Sequence, residues 1–280
     1  MPPADVSPPL SLRKRAIFAG AWNLGALVAS QGIRLLGNLI MARLLMPEMF
    51  GIMVIATTVS VVLHLLSDVG FRQNIIQSPR GNDPAFLNTV WTAQIIRGFI
   101  LFGFTLLIAG FAWFAQAIHM WSEQSTYAAP ELPLVLALTG ISAIIYGFQS
   151  TKVDVAVRDF EQKKVVLAEF ASQIAGLLTM LAIGYFTRSI WSLVGAGLVS
   201  ALVMTLLGHF WFPGSPNRLH WDRSALKELV DFGRWMLLSS AVGVLAMNGD
   251  RIWFGGSMTA GELGVYSIAV LFLGALQMGM

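Results

Sequence analysis

Apolar runs long enough to cross a bilayer alternate with short polar connectors along nearly the whole chain. A helical crossing of the hydrocarbon core takes about 20 residues at about 1.5 Å each. The hydropathy pattern predicts eight crossings: Ala16–Leu45, Gly51–Ser67, Val90–Ala117, Leu132–Gln149, Val166–Phe186, Ile190–Phe212, Phe232–Trp253 and Val265–Met280. Helix breakers sit between them, at Pro47, Pro79 to Pro84, Pro130 to Pro133 and Pro213-Gly214-Ser215-Pro216. Trp91, Trp191, Trp211, Trp235 and Trp253 fall near run ends, where amphipathic rings settle at the lipid–water boundary. The pattern predicts an all-α integral membrane protein built as a polytopic helical bundle.

The pattern also repeats. A shift of 213 positions lays Gly20-x-Trp22-x-Leu24 on Gly233-x-Trp235-x-Leu237, and Gly51-Ile52-x-x-Ile55-Ala56 on Gly264-Val265-x-x-Ile268-Ala269, with six identities in 37 ungapped columns. Runs seven and eight thereby echo runs one and two. An even number of intervening helices makes such a repeat parallel, one way of building two lobes around a midplane site. The expected organisation is a disordered cytoplasmic N-terminus (1–15), a first six-helix lobe (16–212), a cytoplasmic linker (213–231) and the first two helices of a second lobe (232–280). The last run stops at Met280 without a polar tail, so the second lobe is expected to be truncated and the chain a fragment.

Charge sets the orientation. Thirteen of the 18 basic residues lie in odd-numbered connectors and three in even-numbered ones, with Arg34 and Arg97 inside runs. Basic residues stay on the cytoplasmic side of short loops, so the N-terminus is expected in the cytoplasm. Arg13-Lys14-Arg15 before an apolar run resembles a signal peptide, but that run is far longer than a signal core and is read as a retained helix. Only 12% of residues are charged and mean hydropathy is +0.69, against about one-quarter charged in soluble domains. The net charge of +3 is accounted for by topology and anionic headgroups, and nucleic acid is not an expected partner. With no cysteine and four scattered histidines, neither disulfide nor metal site is expected. No Gly-Lys-Ser/Thr phosphate loop occurs, and no cofactor is expected.

Function is then sought in polar residues tolerated inside lipid. Asn23, Ser30, Gln31, Arg34 and Asn38 fall within about 100° of one helical face. A mid-bilayer arginine costs about 2.5–3.5 kcal/mol to insert and must face partners or water. Arg34 therefore reads as a cation lining a central cavity, suited to an anionic headgroup; the alternatives are a structural ion pair or a hydrogen-bonded packing seam. Arg97, one turn after Gln94, has three readings: the inward mouth of that cavity, snorkelling to the interface, or pairing with Asp68. Asp250 reads as a cation or proton site, or as a local end cap with Arg251; with Asp68 it is a candidate for ion coupling. On run five, Ser172, Gly176 and Thr179 read as helix-packing residues.

These residues lie among motifs with a family resemblance. Ala42-Arg43-Leu44-Leu45-Met46-Pro47-Glu48-Met49-Phe50-Gly51 resembles the motif after helix one in polysaccharide-type flippases of the MOP (multidrug/oligosaccharidyl-lipid/polysaccharide) superfamily. Ser67-Asp68-Val69-Gly70-Phe71, Ile75-Ile76-Gln77, Arg158-Asp159-Phe160, Ile190-Trp191-Ser192-Leu193-Val194, Leu229-Val230-Asp231-Phe232-Gly233 and Glu262-Leu263-Gly264-Val265-Tyr266-Ser267-Ile268-Ala269 follow in order at family-like spacing. The chain departs from the pattern at Met46, where the family usually has glycine, and at Gly255-Gly256-Ser257-Met258.

The resemblance implies a two-lobed fold around a central cavity in a bacterial inner membrane. It also implies movement of undecaprenyl-diphosphate-linked oligosaccharide from the inner to the outer leaflet, for O-antigen, capsule or exopolysaccharide. Lipid-linked oligosaccharide and membrane lipids are the expected partners, with the polysaccharide polymerase and export machinery beside them, and no enzymatic activity is expected. Arg34 would hold the diphosphate by its fixed charge and bidentate fork, with Asn23, Gln31, Asn38 and Arg97 as further substrate contacts. Two other readings compete. Efflux of cationic drugs would favour intramembrane acids, which run one lacks. A membrane glycosyltransferase or ligase on the same carrier would need catalytic groups on a large outer loop, and His119–Pro133 offers only Glu123 and Glu131.

Overall fold

A computed structural model describes residues 12–67, 70–122 and 125–277, without the side chains of 12–24, 26–27, 232, 234–242, 244–247 and 271–277. The described residues form ten α-helices and one 3-10 turn, with no strand. The protein is all-α. The helices are α1 (Leu12–Leu44), α2 (Pro47–Leu66), α3 (Phe71–Gln77), α4 (Pro84–Ala117), α5 (Leu132–Gly147), α6 (Lys152–Arg158), α7 (Gln162–Thr187), α8 (Trp191–Phe210), α9 (Arg223–Ser257) and α10 (Ala260–Gln277); the 3-10 turn is Thr126–Ala128.

By length and composition α2, α4, α7 and α8 can cross a membrane, and α5 with α6 makes a fifth candidate bent by 63°. The eight runs of the sequence reading therefore correspond to four or five crossings among the described residues; α1, α9 and α10 include side chains outside that set. One face of α4 presents Phe99, Phe104, Leu107, Phe111 and Phe114, each more than half exposed. An apolar ridge of that length is a lipid-facing surface, not a water-facing one. The protein is a multi-pass membrane protein.

Starts and stops follow local chemistry. Pro47 and Pro84 stand in the first turn of their helices, where the missing N–H costs nothing. Asp83 caps α4 through the Ala85 amide, and Asp222 caps α9 through the Ser224 amide. The 213-residue relation extends to whole elements: α1 and α2, shifted by 213, fall on 225–257 and 260–279, against α9 at 223–257 and α10 at 260–277.

The main core surrounds α2. Ile52, Ile55 and Ala56 pack with Leu132, Val135 and Leu136 of α5, Val194 of α8 and the fully buried Leu263 of α10. A second core lies at the other end, where Phe71, Ile75, Phe86 and Val90 enclose Ala225 and Leu229. Those two residues fall in the expected linker 213–231. Its residues 223–231 are instead the opening turns of α9, because Ala225 and Leu229 share a face at i, i+4 and bury it. Of the expected N-terminal segment 1–15, residues 12–15 belong to α1 and the rest lie outside the described residues.

Candidate functional site

The polar stripe of α1 is set by the way α1 packs on α7. Ser30, Gly37 and Met41 are buried along one line of the helix. A Cβ on Gly37 would strike Leu177 at 2.8 Å and Met180 at 3.2 Å, so glycine there lets the two helices approach. From α7, the Gln173 amide donates to Ser30 Oγ at 3.2 Å. The Gln173 carbonyl oxygen is buried with no partner among the described residues.

Beside that seam stand the expected binding residues. Gln31 and Asn38 are half-buried and Arg34 is exposed. The Asn38 amide donates to the Arg34 carbonyl at 2.9 Å, which turns its side chain back along the helix. Among the described residues Arg34 makes no ion pair. The stripe thus presents one free guanidinium flanked by two amides, chemistry suited to an oxyanion and neighbouring hydroxyls. Asn23 lies in α1, and its side chain is outside the described residues.

Arg97 is placed elsewhere. Its Nη2 donates to the His64 carbonyl at 2.7 Å and its Nε to Ser67 Oγ at 3.0 Å, with the guanidinium 5.8 Å from the Phe71 ring. It therefore closes the C-terminus of α2, where carbonyls lack helical partners and the dipole favours a cation. Asp68, the expected companion, is outside the described residues. Asp250 is exposed near the end of α9 and accepts from Tyr266 Oη at 2.8 Å, which ties α9 to α10. The stripe, Arg97 and Asp250 thus occupy three separate places: the α7 seam, the α2 terminus and the α9–α10 pair. On α7, Ser172 and Gly176 are buried, and a Cβ on Gly176 would meet the Ala196 carbonyl oxygen of α8 at 2.9 Å, as packing residues should.

Sequence reasoning missed two polar joints, both made of groups far apart in the chain. At one, Arg80 Nη2 bonds Asp83 at 3.1 Å and Asp222 at 2.9 Å, while Ser78 Oγ donates to Glu228 at 2.6 Å. Arg158 donates to the carbonyls of Ile75 and Ser78 at 2.7 and 2.6 Å. The Arg80 bond is the first of several holding the Asp222 carboxyl down, to about 2. The connector 213–222 is laid along α4, with Asn88, Thr89 and Thr92 accepting from the amides of Arg218, Asp222 and His220. The other joint closes α9 at its far end. Thr126 and Tyr127 donate to the carbonyls of Met258 and Ile252, the latter at 2.7 Å. Only the clustering of Ser, Thr, Asp and Arg in these connectors signalled either one.

Among the described residues no group of three or more acids and histidines is placed to hold a metal. The family described as "Polysaccharide biosynthesis protein" matches residues 40–276. The chain is 23% identical over 264 residues to "Lipopolysaccharide biosynthesis protein WzxC" of Escherichia coli (strain K12), covering 93% of this chain and 51% of that protein. It therefore spans about half the length of the curated relative it matches. No solved structure matches it. With a family match across most of its length, a helical membrane fold and the motifs in order, the chain belongs to the polysaccharide biosynthesis protein family.

Proposed function

We propose that this chain carries a lobe of a flippase that moves undecaprenyl-diphosphate-linked oligosaccharide from the inner to the outer leaflet of the bacterial cytoplasmic membrane. It is a transporter and not an enzyme. Residues 16–212 form one lobe, residues 232–280 begin a second, and the N-terminus is cytoplasmic. Partners are the lipid-linked oligosaccharide and, beyond it, the polymerase and export machinery that use the product.

The observation that carries this reading is Arg34: an arginine within an apolar helix, exposed and without an ion pair among the described residues. A diphosphate crossing lipid needs a fixed cation held away from bulk water, and arginine supplies one with a bidentate fork. Gln31 and Asn38 place amides beside it for sugar hydroxyls. Movement follows from rocking one lobe against the other, with the α2–α10 contact as the hinge line. Membership of a polysaccharide biosynthesis family supports the substrate class.

The test is export of surface polysaccharide from cells lacking their own copy of the protein. Arg34→Ala is expected to abolish export at unchanged membrane abundance, and Arg34→Lys to retain part of it. Normal export from well-inserted Arg34→Ala would remove the assignment.

A further inference from the structure

A cavity of about 450 Å³ runs between α2, α5 and α8, inside the first lobe and apart from the α1 stripe. Its wall on α2 extends from Met53 to Leu65. Twelve residues at 1.5 Å make that about 18 Å, so the slot is elongated along the helix axis.

Five hydroxyls line the slot, and the four of Ser and Thr have already spent their protons on their own helices; the fifth, Tyr146, stands at the end near Leu65. Thr57 donates to the Met53 carbonyl at 2.8 Å and Ser60 to Ala56 at 3.0 Å. Thr139 donates to Val135 at 2.8 Å and Ser142 to Thr139 at 2.6 Å. A glycan requires donors as well as acceptors, and this wall offers it few donors. A hydrocarbon requires neither. The end near Leu65 differs: His64 and Tyr146 stand edge to face at 6.4 Å and also border a 40 Å³ recess that holds Arg97 and Gln94. The Gln94 carbonyl oxygen there is buried with no partner among the described residues. The slot is apolar along most of its length, and Arg97 lies in the recess beyond one end.

We propose that the slot seats isoprene units of the polyprenyl carrier. This rests on the flippase reading and assigns the part of its substrate that Arg34 does not touch. Gly197 of α8 makes it testable, because it lines the slot and no atom lies within 4 Å of where its Cβ would stand. A leucine there places its Cβ without obstruction, carries its side chain into the slot and improves helix propensity.

The experiment places the full 280-residue chain in phosphatidylethanolamine–phosphatidylglycerol nanodiscs with farnesyl diphosphate bearing a diazirine on its terminal isoprene. Photolabelled peptides are then mapped by mass spectrometry. Labels are expected on segments 53–65, 139–146 and 194–198. Gly197→Leu displaces about two methylenes' worth of contact and should cut them about tenfold. Gly103→Leu, on the outer face of α4 where a Cβ is equally unobstructed, should leave them unchanged. Saturable labelling confined to other segments, or unchanged by Gly197→Leu, overturns the slot while leaving the flippase reading intact. Equal labelling of the slot by a diazirine-tailed phosphatidylglycerol overturns it as well. Absence of saturable labelling anywhere counts against both.

Discussion

Gly51 and Gly264 occupy equivalent positions 213 residues apart, and a backbone carbonyl from the other's helix fills the space of each absent side chain. A Cβ on Gly51 would strike the carbonyl of Ala260, and a Cβ on Gly264 would strike the carbonyl of Pro47. Pro47 and Ala260 are themselves 213 apart. The contact is reciprocal, as it must be where two copies of one motif cross about a local two-fold axis. Both glycines lie in the first turns of α2 and α10, so the helices touch backbone to backbone at that end.

Alanine at either position forces the crossing apart. Each of Gly51→Ala and Gly264→Ala is expected to destabilise the protein by about 1–3 kcal/mol, at the upper end because the obstruction is backbone. Their effects should be similar, and the double variant should cost less than the sum because both relieve the same contact. Thermal unfolding in detergent measures this. Two fully additive effects, or none, would contradict the reciprocal crossing.

Arg97 should behave as a structural residue before it behaves as a substrate contact. Removing it takes a charged donor from the His64 carbonyl and the Ser67 hydroxyl, which keep their bonds within the end of α2. Arg97→Ala is expected to cost about 1–3 kcal/mol, and Arg97→Lys less. The measurement is unfolding in detergent with no substrate present. An Arg97→Ala protein of unchanged stability would return this residue to the list of substrate contacts alone.

The connector 213–222 should detach in acid. Hydrogen bonds, that from Arg80 foremost, hold the Asp222 carboxyl at about 2 in the folded protein, against about 3.9 when unfolded. Its contribution is therefore fully present above about 3.9 and lost as pH falls toward 2. Pepsin cleavage between Pro213 and Asp222 is expected to rise across that window. Asp222→Asn keeps the helix cap but removes the charge, so cleavage should be raised already at the top of the window. A cleavage rate in that variant matching the parent would show that the Arg80 pair does not hold the connector.

Much of this architecture was legible in the sequence. Long apolar runs and their proline stops placed the helices, and the 213-residue shift pointed at Gly51 and Gly264 before any contact was known. The short helices α3 and α6 were not legible. Each has seven residues, too few for a periodic signal, and their apolar residues lie among the charges of the connectors. Arg97 was ambiguous for a different reason: the carbonyl it closes is 33 positions away, and spacing along α4 says nothing about the end of α2. The helical start of α9 within the expected linker was not legible because Ala225 and Leu229, both buried, look unremarkable beside Arg223 and Lys227.

The central claim is that Arg34 looks onto water within the membrane, and the cysteine-free chain permits a direct measurement. Single cysteines replace Gln31, Arg34, Asn38 and, as a lipid-facing reference, Leu107, which is 70% exposed on the apolar ridge of α4. Labelling with a charged, membrane-impermeant thiol reagent then reads access to water. The account predicts that the Arg34→Cys site labels readily, with the Gln31→Cys and Asn38→Cys sites, while the Leu107→Cys site stays silent. An Arg34→Cys site as silent as that at position 107 would place the arginine against acyl chains and contradict the account.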